Sequence, residues 1–454
     1  MMQRHQHWSS TFGFLLAAMG AAIGLGSVWK FPYMVGTGGG GAFVLIYLLA
    51  AATITVPILI AELMLGRRGQ ASPPRVMTRV ASEVGASRHW AWLGIITVIT
   101  IYLIGTYYSV IGGWIIAYVF EAASGSFAGA TAGEIAGIYR ALLADPVVVA
   151  FWHGLFMTLT ILILMGGVQR GIERASQIMM PALFLMLILM VGYAAYAGEF
   201  VAALRFLFVP DFSALSADIV LSAVSLSFFS IGTGMAIMMT YGSYLTRDMS
   251  VTSSAIKIAA SVPVVALMVG LAIFPLVFAH DLNPAEGPGL LFVTLPLVFG
   301  QVTGGLVFGT LFFILACFAA LTSAIAGIEP IVAWSEERFG IRRKIGAPLV
   351  GFVAWLLGLG TVFSFNIWSD VKPPAGLGKY SDMTPYGLLD FATGNVMIPV
   401  ANILICIFIG WIMPAAAVRS DIAPRSATLF NYWRLTLRYF APIPLIVILI
   451  MGLT

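Results

Sequence analysis

Charge is what this chain of 454 residues has least of: Asp, Glu, Lys and Arg make up 9% of it, against 60% hydrophobic residues. No water-facing surface can be built from so few charges, which excludes a soluble domain. Cysteine is nearly absent. Cys317 and Cys406 sit in apolar runs with no His or acidic residue at ligand spacing, so both read as small packing residues, and a cysteine metal site is excluded. The five histidines fall at the N-terminus, at interfaces or in a loop. No nucleophile, base and orienting group therefore gather at one depth, and an enzyme is not expected. No Asn-x-Ser/Thr sequon occurs and the loops are short, which fits a bacterial inner (plasma) membrane protein better than a glycosylated eukaryotic one.

What remains is a series of apolar runs. Those long enough to span a bilayer lie at 10–36, 42–66, 90–123, 147–167, 172–197, 217–244, 255–279, 300–335, 346–365, 391–414 and 437–454, here numbered span 1 to span 11. Irregular or amphipathic stretches lie near 125–145 and 283–299. The first run has no small-residue cleavage site behind it and reads as a retained helix. Arginines and lysines crowd the loops on one side, as at Arg67, Arg68, Arg75, Arg79 and Arg88, and again at Arg338, Arg342, Arg343 and Lys344. By the positive-inside rule the N-terminus is cytoplasmic and Thr454 lies outside. The net charge of +4 is then a topological signal and gives no reason to expect a nucleic-acid partner. The bilayer is the expected surrounding.

The stretch Gly20 to Pro32, GAAIGLGSVWKFP, places glycines and a lone cation inside span 1. Gly24 and Gly26 lie about fifteen residues after Trp8, near mid-membrane by helical rise. Glycines there serve either close helix packing or a helix break whose freed N–H and C=O groups must meet protein or ligand. A second interrupted run, Ser230 to Gly234, at the corresponding point of span 6 favours the break. Tyr107 and Tyr108 in span 3 are too deep for an interfacial belt and need hydrogen-bond partners, a substrate carboxylate among them. Adjacent Thr322 and Ser323 in span 8 either bond back to carbonyls four residues earlier or offer oxygens to a hard cation such as sodium. Polar residues thus gather at one level, whereas a channel would need a continuous stripe.

Four charged groups within the spans need explanation. Glu62 calls for a partner such as a backbone N–H at a broken helix or the hydroxyl of Tyr244, and Glu329 is a second such acid. Lys30 and Asp390 are placed to close over the site as an outer gate, lipid phosphate or water being the other partner for Lys30. At the other face Trp8 reads as an interfacial ring and, with Tyr244, Arg4 and Glu337, as part of an inner gate. Arg4 or His5 either snorkels to lipid or latches to Glu337 at the end of span 8. Arg170 to Arg174 reads as a charged hinge before span 5, which Pro181 kinks.

These residues resemble the neurotransmitter:sodium symporter family. The likeness is carried by HW at His7-Trp8, GLGSVWKFPY from Gly24, GGGGAF from Gly38, IAELMLGR from Ile60, YY and W at Tyr107, Tyr108 and Trp114, RGIERAS from Arg170, VPDF from Val209, the broken run of span 6 and LTSAI from Leu321. The resemblance implies an all-α polytopic protein of 11 transmembrane helices: inverted five-helix repeats at 1–200 and 201–415, then a last helix at 416–454. It also implies alternating access and sodium-coupled uptake of an amino acid or related amine. The implied substrate site is Ala22, Leu25, Gly26, Ile104, Tyr108, Phe229, Ser230, Gly232, Met235, Ser323 and Gly327. The implied second sodium site is the carbonyls of Gly20, Ile23 and Ala319 with the hydroxyls of Thr322 and Ser323.

The family's first sodium site does not carry over, because Ser27 and Val262 stand where relatives place Asn or Asp. Tyr47 and Ser230 of the chloride site are present, but Leu226 and Ala266 occupy its other positions. One coupled sodium and no chloride dependence are therefore expected. Gly232 and Gly327 leave room for a bulky hydrophobic or aromatic amino acid. A taurine-, betaine- or amine-type solute, or a ligand sensor that does not transport, is the alternative.

Overall fold

The computed structural model describes residues 6–283, 289–373, 380–422 and 426–453. Arg4, His5 and Thr454 lie outside them. Among the described residues, nine helices are long and apolar enough to cross a membrane: Gly41–Gly69, Arg88–Ala123, Pro146–Met165, Val168–Ala197, Val251–Ala279, Gly305–Phe339, Arg343–Ser364, Pro385–Ile412 and Ala427–Leu453. A tenth is the bent pair Thr11–Ala22 and Gly26–Thr37, which turns by 51° at its break. Span 6 is two pieces, Ala217–Ile231 and Ile237–Ser243, neither long enough alone.

Local sequence explains the ends and bends. Ser10 caps the first helix, its hydroxyl accepting from Gly13 N at 3.0 Å. Within 125–145, Thr131 and Glu134 form a reciprocal cap that starts the helix Ala132–Ala144. Span 11 begins ten residues earlier than expected. Its arginines had read as a loop, but they turn onto the carbonyls that end span 10: Arg434 donates to Gly410 O at 3.2 Å and to Met413 O at 2.6 Å. Charged side chains near a span end are tolerated when such acceptors receive them.

The hinge before span 5 also differs from expectation. Gly167, at φ +75°, leads into a wide turn over Val168–Glu173. Arg170 and Arg174 are exposed, but Glu173 is buried, its carboxylate accepting from Ser9 N at 3.0 Å, from the Ser9 hydroxyl and from the Ser10 hydroxyl at 3.4 Å. The acid serves the N-terminus of span 1, where helix-end N–H groups favour a negative charge. Span 1's first piece is packed between spans 5, 7 and 8. Span 2 runs beside span 6, its first half against Ala217–Ile231 and its second against Ile237–Ser243. The two broken spans consequently meet in the middle of the bundle, where a methyl group added at Gly26 would lie 3.2 Å from the Cα of Ser230.

Candidate functional site

Span 1 leaves its helix at Ile23, whose ψ is 78°, and resumes at Gly26. Span 6 is interrupted through three residues in the left-handed region: Gly232 at φ +79°, Gly234 at +76° and Ala236 at +60°. Glycine adopts that region freely, whereas alanine there costs about 1–2 kcal/mol. Between the breaks and span 3 lies a small cavity of about 50 Å³. All eleven residues expected at the substrate site line it. Ala21, Gly24, Ile101, Gly105, Ile237 and Ala324 line it too and were not singled out as substrate contacts. One signal was available for them: each lies within a turn of a residue that was named, on the same helix face or in the same break.

The polar end of the cavity is a junction of three spans. The Tyr108 hydroxyl accepts from Leu25 N at 3.2 Å. Ser323 Oγ donates to the carbonyls of Gly20 at 3.2 Å and Ala21 at 3.0 Å, reaching from span 8 to span 1. Thr322 Oγ1 bonds back to Phe318 O at 2.9 Å and Ala319 O at 3.1 Å, the local alternative weighed from sequence. Gly20 packs on Thr322, an added Cβ meeting its Cβ at 3.0 Å. Two hydroxyls thus lie among the carbonyls of Gly20 and Ala319, beside the unwound Ile23. This oxygen-only set, without a basic side chain, fits a hard monovalent cation. Sodium would be held there by Gly20, Ile23, Ala319, Thr322 and Ser323, supplying positive charge next to the cavity.

The other ion positions are different. Ser27 is fully buried and its hydroxyl has no hydrogen-bond partner among the described residues, while Val262 is fully buried and apolar. The Tyr47 and Ser230 hydroxyls bond to each other at 3.1 Å, and Leu226 and Ala266 present only carbon.

One expected gate contact is not made among the described residues. Lys30 makes no ion pair with Asp390 among the described residues. Its ammonium lies 4.1 Å over the centre of the Phe229 ring, an attraction to the ring's negative face that competes with the carboxylate. Lys30 and Asp390 nonetheless line one cavity of about 130 Å³. Glu337 accepts from Ser72 N at 2.9 Å and Arg75 Nη1 at 2.9 Å, just beyond span 2; the latch expected from Arg4 or His5 falls outside the described residues.

Trp8 is not an interfacial ring. It is buried beneath the second half of span 6, donating from Nε1 to Tyr241 O at 3.0 Å and packing edge-on against Tyr241 and Tyr244. Glu62 does accept from a backbone N–H at a helix break, Gly234 N at 3.1 Å. Tyr244 instead donates to Glu329 at 2.6 Å, and Arg343 pairs with both Glu329 and Glu336, the latter at 3.0 Å. Arg343 as the partner of Glu329 was not foreseen. Glu329→Ala would leave that guanidinium buried beside Glu336 alone and should lower stability by about 3 kcal/mol, read as a lower Tm in detergent. Replacing both Glu329 by Met and Arg343 by Leu should restore most of the loss.

Comparison with known proteins agrees with this geometry. The pattern of the sodium:neurotransmitter symporter family matches residues 5–134 and 147–454. The chain is 36% identical to the uncharacterized sodium-dependent transporter YhdH of Bacillus subtilis (strain 168), over 98% of this chain and 97% of that one. It is 29% identical to an uncharacterized sodium-dependent transporter of Haemophilus influenzae, over 99% of each. Its structure is similar to that of MhsT crystallised with L-phenylalanine, with a TM-score of 0.89 and 36% identity over 99% of this chain and 100% of MhsT. The chain therefore belongs to the sodium:neurotransmitter symporter family, and is a sodium-dependent membrane transporter, not an enzyme.

Proposed function

We propose that this symporter imports a neutral amino acid with a bulky hydrophobic or aromatic side chain, one sodium accompanying each substrate and chloride playing no part. The observation that carries the reading is the two-ended central cavity. Its polar end offers the Tyr108 hydroxyl and span 1 amides beside the Thr322 and Ser323 hydroxyls, suited to a carboxylate near a cation. Its other end is apolar, formed by Ile101, Ile104, Met235 and Ile237 around Gly105, Gly232 and Gly327. MhsT, similar over nearly the whole chain, was crystallised with L-phenylalanine, which supports an aromatic substrate. Residues 1–200 and 201–415 are then two inverted repeats that rock about the breaks, with 416–454 added outside them and the N-terminus on the cytoplasmic side of a bacterial membrane.

The single ion follows from Ser27 and Val262, which leave the first sodium position with one short hydroxyl and a hydrocarbon. One sodium entering down about 100 mV and a tenfold gradient releases about 3.7 kcal/mol, enough for roughly 500-fold accumulation of a zwitterion. In proteoliposomes, a sodium gradient should drive uptake of labelled L-phenylalanine equally well in chloride and gluconate. Dual-isotope flux should give a sodium-to-substrate ratio of one. A ratio of two would mean that Ser27 still supports a site.

A further inference from the structure

The interrupted stretch of span 6 is held from behind as well as lining the cavity. Gly232 and Met235 face the cavity. The peptide unit between them, joining Thr233 to Gly234, is gripped at both of its polar ends. Its N–H donates to Glu62 Oε1 of span 2 at 3.1 Å. Its carbonyl accepts from Asn402 Nδ2 of span 10 at 3.3 Å. The second hydrogen of the same amide goes to Ile398 O at 3.1 Å, one turn back, which fixes the side chain on its own helix. Glu62, Thr233 and Asn402 are all fully buried. Contact is close enough that a Cβ on Gly234 would lie 2.5 Å from Asn402 Nδ2 and 3.1 Å from Ile398 O.

We propose that Asn402 is a positioning residue for substrate binding: from span 10 it holds the Thr233–Gly234 peptide unit and thereby fixes the orientation of the flanking backbone that lines the cavity. This rests on the reading that the central cavity holds the substrate. The physical need is plain. Gly232, Gly234 and Ala236 all have positive φ, so this stretch lacks the repeating ladder that keeps a helix in one conformation. A buried carbonyl freed by such a break must find a donor, and an Asn amide with both hydrogens directed onto carbonyls supplies one without introducing charge.

Span 10 is a meaningful place from which to do this. It runs Pro385–Ile412, and its earlier part carries Asp390, which shares a cavity with Lys30 and Phe229. Thr393, within the wide turn Ala392–Met397, lies 3.4 Å from the Tyr107 hydroxyl of span 3. Span 10 thus touches the surroundings of the substrate cavity at several points, and the Asn402 amide is the one that holds the interrupted backbone itself.

Asn402→Leu keeps the branched shape of the side chain and removes the donor. Hydrogen exchange of the purified protein in sodium, read by mass spectrometry, should show the amides of residues 233–237 exchanging at least about tenfold faster, with spans 3 and 8 within about twofold of the parent. The affinity for labelled L-phenylalanine should fall at least about tenfold, while ²²Na⁺ binding without phenylalanine changes by less than about threefold. Asn402→Ala, which only deletes atoms, serves the same comparison if the Leu variant does not fold. Exchange at 233–237 matching the parent, or a uniform rise across all spans with sodium and phenylalanine binding falling together, would overturn the proposal. If the parent itself binds no phenylalanine, the substrate reading above fails, and the exchange comparison still decides the role of Asn402.

Discussion

Replacing Thr322 by Val and Ser323 by Ala together should cut sodium-dependent uptake by at least about 100-fold. Hydrogen bonds or ligand contacts to a charged group are worth about 1.5–3 kcal/mol each, so losing two removes about 3–6 kcal/mol of sodium binding. Ser323 carries the larger share, because its hydroxyl reaches across to Gly20 O and Ala21 O and also lines the central cavity. Thr322 bonds only within its own span, to Phe318 O and Ala319 O, so Thr322→Val alone should weaken sodium without disturbing span 1. The measurement is the sodium dependence of uptake in proteoliposomes, with ²²Na⁺ binding to the purified protein as its partner. Uptake of the double variant at the parental sodium dependence would place the ion elsewhere.

Gly24→Ala should abolish transport as completely while leaving a folded protein. A Cβ at Gly24 would lie 2.4 Å from Ser323 Oγ and 2.9 Å from the Tyr108 hydroxyl, closer than non-bonded atoms approach. The methyl group can be housed only by turning Ser323 off the span 1 carbonyls or by pushing Tyr108 away from Leu25 N. Either movement spoils the junction between cation and cavity. Gly24 lies between the two helical segments, and its carbonyl, which accepts from Ser27 N at 3.0 Å and Val28 N at 3.2 Å, is kept by the substitution, so Tm should change by only a few degrees. Gly232→Ala is the instructive contrast. The nearest atom to its added Cβ is Ile237 Cδ1 at 3.7 Å, which is ordinary contact, and the cost comes from φ +79°. That strain, about 1–2 kcal/mol, should weaken uptake by about tenfold without eliminating it.

The sequence made the centre of this molecule more legible than its periphery. Glycines at 24, 26, 232 and 234 are expensive inside helices, and their two clusters had few explanations other than breaks; the hydroxyls of Thr322 and Ser323 stood at the same depth. Local chemistry of that kind is written in consecutive residues. The partners of Glu329, Glu173 and the Thr233 carbonyl are not, since Arg343 lies across the Phe339–Arg343 turn, Ser9 lies on another span and Asn402 is far along the chain. The apolar setting of Asn402 was itself a clue, because a buried amide must spend its hydrogens somewhere. Lys30 and Asp390 share a cavity without forming an ion pair among the described residues, for a different reason. Sequence placed the two charges at one level but carried no information about the Phe229 ring, whose centre lies 4.1 Å from the ammonium.

The two coverings of the cavity are unequal, and this bears on how the symporter idles. Toward Trp8, parting the bundle means withdrawing an indole from its socket, uncapping span 1 from Glu173 and exposing the Tyr244–Glu329–Arg343 cluster. Toward Lys30, the contacts described above are weaker: an ammonium–ring attraction of about 0.5–2 kcal/mol, the 3.4 Å approach of Thr393 to the Tyr107 hydroxyl, and two opposite charges that form no ion pair among the described residues. With the N-terminus cytoplasmic, as proposed above, the empty carrier should accordingly wait with its Lys30 face ajar: the resting asymmetry makes the apparent affinity for solute unequal on the two sides, while the gradients alone set the direction of net movement.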